Sequence, residues 1–339
     1  MTGLRIHLKN VLFAAATLFA VLWLYSGQDT PTLFREDRIV FETVVSVKIH
    51  NTQPEPEKFA EMAFGSFVLV DSLMSSYKDF SEISRISNNP KEWVNCSRET
   101  FEVLQRAKHW ARKTNGAYDP TIGSLTSVWN FQGRKSIPEE SEINASVALV
   151  DFERLELKSQ KARVNIDGML MDLGGAAKGY AVDHAISKLR AAGIENGLIE
   201  AGGDIRYWGK KPDGTSWRIA VQHPRKQGSF VEVDDVGLEA IATSGDYQQY
   251  FLINDRRYHH ILDPRTGWPS TPTISATVWA PNTMDADILA TAVFVLGEEK
   301  GIQLVESLPD AEALVFTETR QDYRVKSTSG LRGRFRIVD

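Results

Sequence analysis

Strand-like runs in this chain arrive in pairs around short turns, and this constrains the fold more than any other feature. Leu155 to Ile166 is arranged around Ser159-Gln160, and Tyr250–Ile253 and Arg257–Ile261 alternate around Asn254-Asp255. Two-residue polar turns between alternating runs predict hairpins, and hairpins make antiparallel neighbours. Further strands are expected at Val40 to Ile49, Gly197 to Ile205 (interrupted by a glycine pair), Trp217 to Val221, Leu238 to Ala242 and Ile274 to Ala280. Helical spacing breaks in at intervals. Phe59, Met62, Ala63, Phe67, Val70, Leu73 and Met74 place a helix over 56–74. Ser97 opens a second helix as N-cap and Gly116 closes it, while a third ends at Gly193. Met284 to Val295 forms another, followed by one from about Glu298 to Leu308. Strict strand–helix–strand alternation is absent, so the expected class is α+β, with mostly antiparallel sheets and inserted helices.

At the N-terminus, Arg5, His7 and Lys9 precede the uncharged run Val11 to Tyr25. A basic start followed by an apolar core of about 15 residues is the pattern of an export signal. Leu24-Tyr25-Ser26-Gly27 lacks a small-x-small cleavage pattern, which favours an uncleaved apolar helix ahead of the domain. The Lys/Arg bias puts the N-terminus in the cytoplasm. A buried core helix is the competing reading. The expected organisation is a signal or anchor segment over 1–25, a polar linker over 26–36, and one exported domain over 37–339. This places the protein at the inner membrane with its soluble part on the periplasmic side. A chain of 339 residues with 42% hydrophobic content can bury a sizeable core. Its net charge of −5 and short basic clusters argue against a nucleic-acid surface. Cys96 stands alone, which excludes an intramolecular disulfide and a cysteine metal site.

Candidate chemistry lies in several places. Met171-Asp-Leu-Gly-Gly-Ala-Ala-Lys-Gly-Tyr-Ala-Val-Asp183 reads as a strand end, a glycine turn and a helix start. Bare backbone N–H groups there favour an anion, and Lys178 adds a positive charge. A tight connection carrying a surface lysine is the competing reading. Asp287 and Thr291 stand four apart on one helix face, an oxygen pair suited to Mg²⁺. The alternative is an exposed aspartate at a helix start beside a packed threonine. His260 ends a strand just before Asp263-Pro-Arg-Thr-Gly267, where it can act as a general base or be a hydrogen-bonded structural histidine. Asp263 can orient it or cap the turn, and His259 points to the opposite face. Thr243-Ser-Gly-Asp246 and Glu200-Ala-Gly-Gly-Asp204 are ambiguous turns, and Tyr77 and Tyr118 can stack on a planar ligand or pack on the core.

Five segments taken together resemble the ApbE family of FAD:protein FMN transferases. They are Ser75-Ser-Tyr-Lys-Asp-Phe-Ser-Glu-Ile83, Gly116-Ala-Tyr-Asp-Pro-Thr-Ile-Gly123, Asp172 to Asp183, Thr243-Ser-Gly-Asp-Tyr247 with His260-Ile-Leu-Asp-Pro-Arg-Thr-Gly267, and Asp287-Ile-Leu-Ala-Thr291. The resemblance runs from about Phe41 to Gly301 and implies a T-fold-related architecture. It implies an enzyme that transfers FMN from FAD to a threonine hydroxyl of an acceptor protein and releases AMP. Family acceptors are subunits of membrane redox complexes. Carried over by position, Asp287, Thr291 and the Gly175 carbonyl would bind Mg²⁺. Phe41, Tyr77, Ala117, Tyr118, Asp119, Asp172, Lys178 and Ile261 would contact FAD, and His260 would be the base. The chain has Phe41-Glu42-Thr43 where many members have Met-Gly-Thr, and it has no cysteine after the apolar run for lipid attachment. A Mg²⁺-dependent FAD pyrophosphatase and a non-catalytic FAD-binding protein are the rival readings.

Overall fold

The structure is a computed structural model that describes residues 33–50, 55–133, 135–320 and 322–338. The expected anchor over 1–25 lies outside the described residues. The chain opens with β1 (Leu33–Val40) and β2 (Thr43–His50), then α1 (Pro56–Met74), α2 (Glu82–Asn88), β3 (Val94–Asn95) and α3 (Arg98–Lys113). Next come α4 (Gly123–Trp129), α5 (Glu140–Val147), the hairpin β4 (Leu155–Lys158) and β5 (Lys161–Val164), and α6 (Ala177–Ala191). β6 (Gly197–Ala201), β7 (Asp204–Trp208), β8 (Ala220–Gln222), β9 (Phe230–Val233) and β10 (Ala240–Gly245) follow. The remainder is the hairpin β11 (Tyr250–Ile253) and β12 (Arg256–His259), then β13 (Thr273–Ala280), α7 (Thr283–Glu306), β14 (Glu312–Glu318), β15 (Tyr323–Ser327) and β16 (Phe335–Val338).

Eight strands make one sheet in the order β1-β2-β6-β7-β10-β13-β14-β15, and each neighbouring pair is antiparallel. The α+β class read from the hairpins is the class observed. The helices cover one face. Val45, Val47 and Ile49 of β2 alternate into a core shared with Phe64 and Phe67 of α1, Ala181 and Ala185 of α6, and Ala290 and Phe294 of α7. The opposite face packs Ile241, Trp279, Leu314 and Phe316 against Val221 and Val231 of the small sheet β16-β9-β8. A third, aromatic cluster joins α4 and α5 to the β11–β12 hairpin through Trp129, Phe251 and Tyr258.

Both predicted two-residue turns form. Ser159 and Gln160, and likewise Asn254 and Asp255, take positive φ in succession, the twist that suits a tight hairpin. Ser97 accepts from the Thr100 N–H as the expected N-cap. Three expectations are revised. The single first strand over Val40–Ile49 is instead the β1–β2 hairpin, turning at Phe41 (φ 54°) and Glu42 (φ 57°), so residues 33–36 of the expected linker belong to β1. Its charged run hides the alternation, because Arg35–Asp37 and Arg38–Glu36 pair along the strand at 3.1 and 2.6 Å. Gly197–Ile205 is two strands, with Gly202 and Gly203 as the turn between β6 and β7. The expected strand at 217–221 shrinks to Ala220–Gln222. The two expected C-terminal helices both form, and α7 spans the pair across a kink at Gly297 (φ 77°, ψ 179°).

The approach of α6 to the start of α7 is set by Gly179. A Cβ added there would lie 2.4 Å from the Thr283 carbonyl oxygen and 2.8 Å from the Met284 Cα. Because those atoms are backbone, a side chain has to push the helices apart. Gly179→Ala is expected to lower stability by ~1–3 kcal/mol, the usual penalty for overpacking, read as a lower urea midpoint at unchanged slope. An unshifted midpoint would mean that the helices separate without cost.

Candidate active site

The helix pair at Gly179 brings distant residues together. Asp287 and Thr291 project from α7, and Gly175 lies against them from the turn before α6. A Cβ on Gly175 would sit 2.8 Å from Thr291 Oγ1 and 3.3 Å from the Tyr118 ring. Asp287 Oδ2 accepts from the Gly179 N–H at 3.3 Å and lies 3.4 Å from Lys178 Nζ. The same ammonium donates to the Gly174 carbonyl at 3.2 Å and stands 3.4 Å from Asp204 Oδ2. Ser244 Oγ lies 3.4 Å from Thr291 Oγ1. Burial alone would lower the Lys178 pKa, but Asp204 and Asp287 outweigh it and hold the ammonium above its ordinary value. Burial, and then the neighbouring Asp287, push Asp204 well above the usual carboxylate range.

The glycine turn has a different purpose from the one its sequence suggests. The Gly174 N–H donates to Asp172 Oδ1 at 2.8 Å, and the Ala176 and Ala177 N–H groups both donate to the Leu173 carbonyl. Three of the N–H groups expected to face an anion are therefore taken within the chain. What Gly175 provides is close approach to the Thr291 hydroxyl.

His260 follows β12 and is half-buried. Its backbone N–H donates to the Gln249 carbonyl at 3.1 Å, and its Nδ1 lies 3.3 Å from the same oxygen. That contact suits a protonated Nδ1, which leaves Nε2 with a free lone pair. Burial, and then His259, push its pKa down to about 4, and the Lys178 charge acts in the same direction. His259 is buried, with Nε2 2.8 Å from the Ser270 carbonyl and its ring edge-on to Phe294, so it is structural as its strand face predicts. Asp263 caps its turn, accepting from the Arg265 N–H at 3.0 Å and from Arg265 Nε at 2.7 Å. Of the two roles open to it, this is the capping one.

Tyr118 is buried, and its hydroxyl has no hydrogen-bond partner among the described residues. Burial, and then Asp287, raise its phenol well above the ordinary value. Ala117 is buried beside it, and Ile261 is buried after His260. Asp172 Oδ2 accepts from Thr126 Oγ1 at 2.9 Å. Both oxygens of Asp119 are used internally, Oδ1 by the Thr121 N–H and hydroxyl and Oδ2 by the Phe152 N–H, so this residue holds its segment in shape. Tyr77 is 73% exposed, and Phe41 sits at the β1–β2 turn with its ring edge-on to Phe67. Sequence reasoning left Asp204 ambiguous. The signal was the Gly202-Gly203 pair, which folds β7 back and turns Asp204 toward α7.

Among the described residues, no three His, Cys, Asp or Glu side chains gather as a metal site. The arrangement around Asp287 still suits a hard cation, because the donors are a carboxylate, a hydroxyl and an adjacent backbone. Asp204 Oδ2 is also buried there, paired with Lys178 at 3.4 Å but without a hydrogen bond among the described residues.

Comparisons with known proteins agree in one direction. The ApbE family model matches residues 41–315. The FAD:protein FMN transferase of Vibrio cholerae is 38% identical over 244 residues, covering 70% of this chain and 73% of the relative. That of Haemophilus influenzae is 34% identical over 275 residues, covering 78% and 79%. Among solved structures, the ApbE protein of Thermotoga maritima aligns with a TM-score of 0.81 at 30% identity, over 90% of this chain and 99% of that one. The flavin transferase ApbE of Vibrio cholerae aligns at 0.79 and 31%, over 89% and 99%.

The ring environment of His260 gives a direct test. Its imidazole should titrate near pH 4 in ¹⁵N-edited NMR spectra of the ligand-free protein, because burial opposes the charged form. A midpoint at or above about 6.5, the unperturbed value, would show that the ring is solvated.

Proposed function

Since the chain belongs to the ApbE family, an enzyme family whose named members here are FMN transferases, we propose that it transfers FMN from FAD to a threonine hydroxyl of an acceptor protein, releasing AMP. The observation that carries this reading is the meeting of Gly175, Lys178, Asp287 and Thr291 at one point, within electrostatic reach of a neutral His260. In the reaction, the threonine oxygen forms a bond to the phosphorus on the FMN side of the pyrophosphate. The bond from that phosphorus to the bridging oxygen breaks, and AMP leaves with the oxygen. The threonine proton passes to His260 Nε2. Such transfers depend on positioning and charge neutralisation more than on covalent help.

A bound Mg²⁺ supplies charge neutralisation at the pyrophosphate, and Asp287, the Thr291 hydroxyl and the Gly175 carbonyl are the groups to hold it. Lys178 offsets the remaining phosphate charge. Tyr77, Tyr118 and Ala117 line the flavin nucleotide, with Asp119 shaping their segment and Phe41, Asp172 and Ile261 at its edges. His260 is neutral at physiological pH, so it accepts a proton without first losing one. Residues 1–25 serve as a membrane anchor in this reading, holding the domain on the periplasmic side beside redox-complex subunits. No helix among the described residues is long and apolar enough to cross a membrane.

With FAD, Mg²⁺ and a threonine-bearing acceptor, mass spectrometry should find the acceptor heavier by FMN and stoichiometric AMP. AMP with free FMN and no labelled acceptor would assign the chain as a hydrolase, and tight FAD binding without turnover would remove both enzyme readings. His260→Ala should slow transfer by ~10²–10⁴-fold while FAD still binds; an unchanged rate would move the base elsewhere. For the native protein, kcat/KM should stay flat as pH falls through 6.5 and drop only toward about 4, because the depressed pKa keeps the base form populated. An acid limb centred at or above 6.5 would contradict this.

A further inference from the structure

The Glu200-Ala-Gly-Gly-Asp204 segment is not used by the reaction above, yet it places a buried carboxylate inside the site. Asp204 starts β7, immediately after the Gly202-Gly203 turn, and pairs with Ala201 across the hairpin. Its carboxylate is therefore fixed to the sheet. Asp287 is fixed to α7, whose first turn is itself held by the Asp183 carboxylate, which accepts from the Thr283 and Met284 N–H groups at 3.0 and 2.9 Å. Between them lies Lys178 Nζ, 3.4 Å from Asp204 Oδ2 and 3.4 Å from Asp287 Oδ2. The two carboxylates are nearly inaccessible, whereas Lys178 is 25% exposed on a flexible stem. The lysine is the part that can move.

We propose that Asp204 is a positioning residue that draws the Lys178 ammonium off Asp287, leaving that carboxylate free for a divalent cation. The proposal rests on the metal-assisted reading of the site. An ammonium and a divalent cation repel each other, so both do not share Asp287 Oδ2 at low cost. With two carboxylates present, the cation takes Asp287 and the ammonium shifts to Asp204, where it still faces the phosphates. Without the second carboxylate, the lysine has Asp287 as its sole anionic partner in this cluster and competes with the metal. Asp204 Oδ2 already faces the ammonium at 3.4 Å and makes no hydrogen bond among the described residues, so it has acceptor capacity for the shift.

The test is a Mn²⁺ titration of the full chain with FAD present, following free Mn²⁺ by electron paramagnetic resonance. Asp204→Asn, nearly the same shape, should weaken Mn²⁺ binding about tenfold, within the range of coupled neighbours. In a Lys178→Met background, the same substitution should cost less than about threefold, because no competitor remains. That dependence separates positioning from general loss of negative charge, which would weaken binding equally in both backgrounds. Equal losses, or no loss in either, overturn the proposal. Native protein that binds no Mn²⁺ overturns the metal reading itself and this inference with it. Melting temperatures of the three variants confirm that each is folded at the titration temperature.

Discussion

Backbone meets backbone where α6 starts beside the first turn of α7, and the site depends on that contact. Gly179 permits it, since any Cβ there would overlap the Thr283 carbonyl. The Asp183 carboxylate fixes it by accepting two N–H groups from the head of α7, and Arg206 of the main sheet pairs with that carboxylate at 2.5 Å. A helix start has free N–H groups, so a half-buried carboxylate there is stabilised by both hydrogen bonds and the macrodipole. The consequence is local and geometric: Lys178 and Gly175, one turn away on α6 and its leading loop, come to lie beside Asp287 and Thr291.

The acids at the head of α7 show how packing assigns roles to similar residues. Asp285 accepts from Trp110 Nε1 at 2.6 Å and from Asn282 Nδ2 at 2.7 Å, and forms a two-point ion pair with Arg106. Burial would raise its pKa, but these donors hold it below the ordinary value. Its acceptor capacity is used, and the effect is to lock α7 to α3. Asp287, about 200° further round the helix, receives only longer contacts from Gly179 and Lys178. A carboxylate with capacity to spare, facing a hydroxyl and a bare glycine, is the one available for a cation.

This difference also explains what was legible in the sequence. Asp287 and Thr291 were readable because a four-residue interval on a helix fixes a shared face. His260 was separable from His259 because strand neighbours point to opposite faces. The hairpins at Ser159-Gln160 and Asn254-Asp255 were readable from alternation and turn residues. Asp204 was not, because its direction depends on whether Gly202-Gly203 continues a strand or reverses it, and glycine permits both. β1 was missed for a related reason: Arg35 to Arg38 satisfy their charges along the strand and above α1, so no apolar alternation marks it. β14 to β16 went unread because their registry is set by β13 and β9 from far along the chain.

The proposed base belongs to a different packing unit from the proposed cation ligands. His260 follows a two-stranded hairpin whose Tyr258 stacks with both Phe251 and Trp129, and the Trp129 indole N–H donates to the Gly267 carbonyl at 2.7 Å, tying down the next turn as well. The nearby acid, Asp263, is occupied by Arg265, so it does not raise the basicity of His260. A histidine with a pKa of about 4 is a weak base toward a free alcohol. In the proposed transfer this is sufficient. The threonine hydroxyl becomes acidic only as its oxygen bonds to phosphorus, and in a loose transition state that bond is little advanced when the leaving group departs. The proton is therefore taken late, and a base already neutral and aligned through Gln249 serves better than a stronger one held protonated by a carboxylate partner.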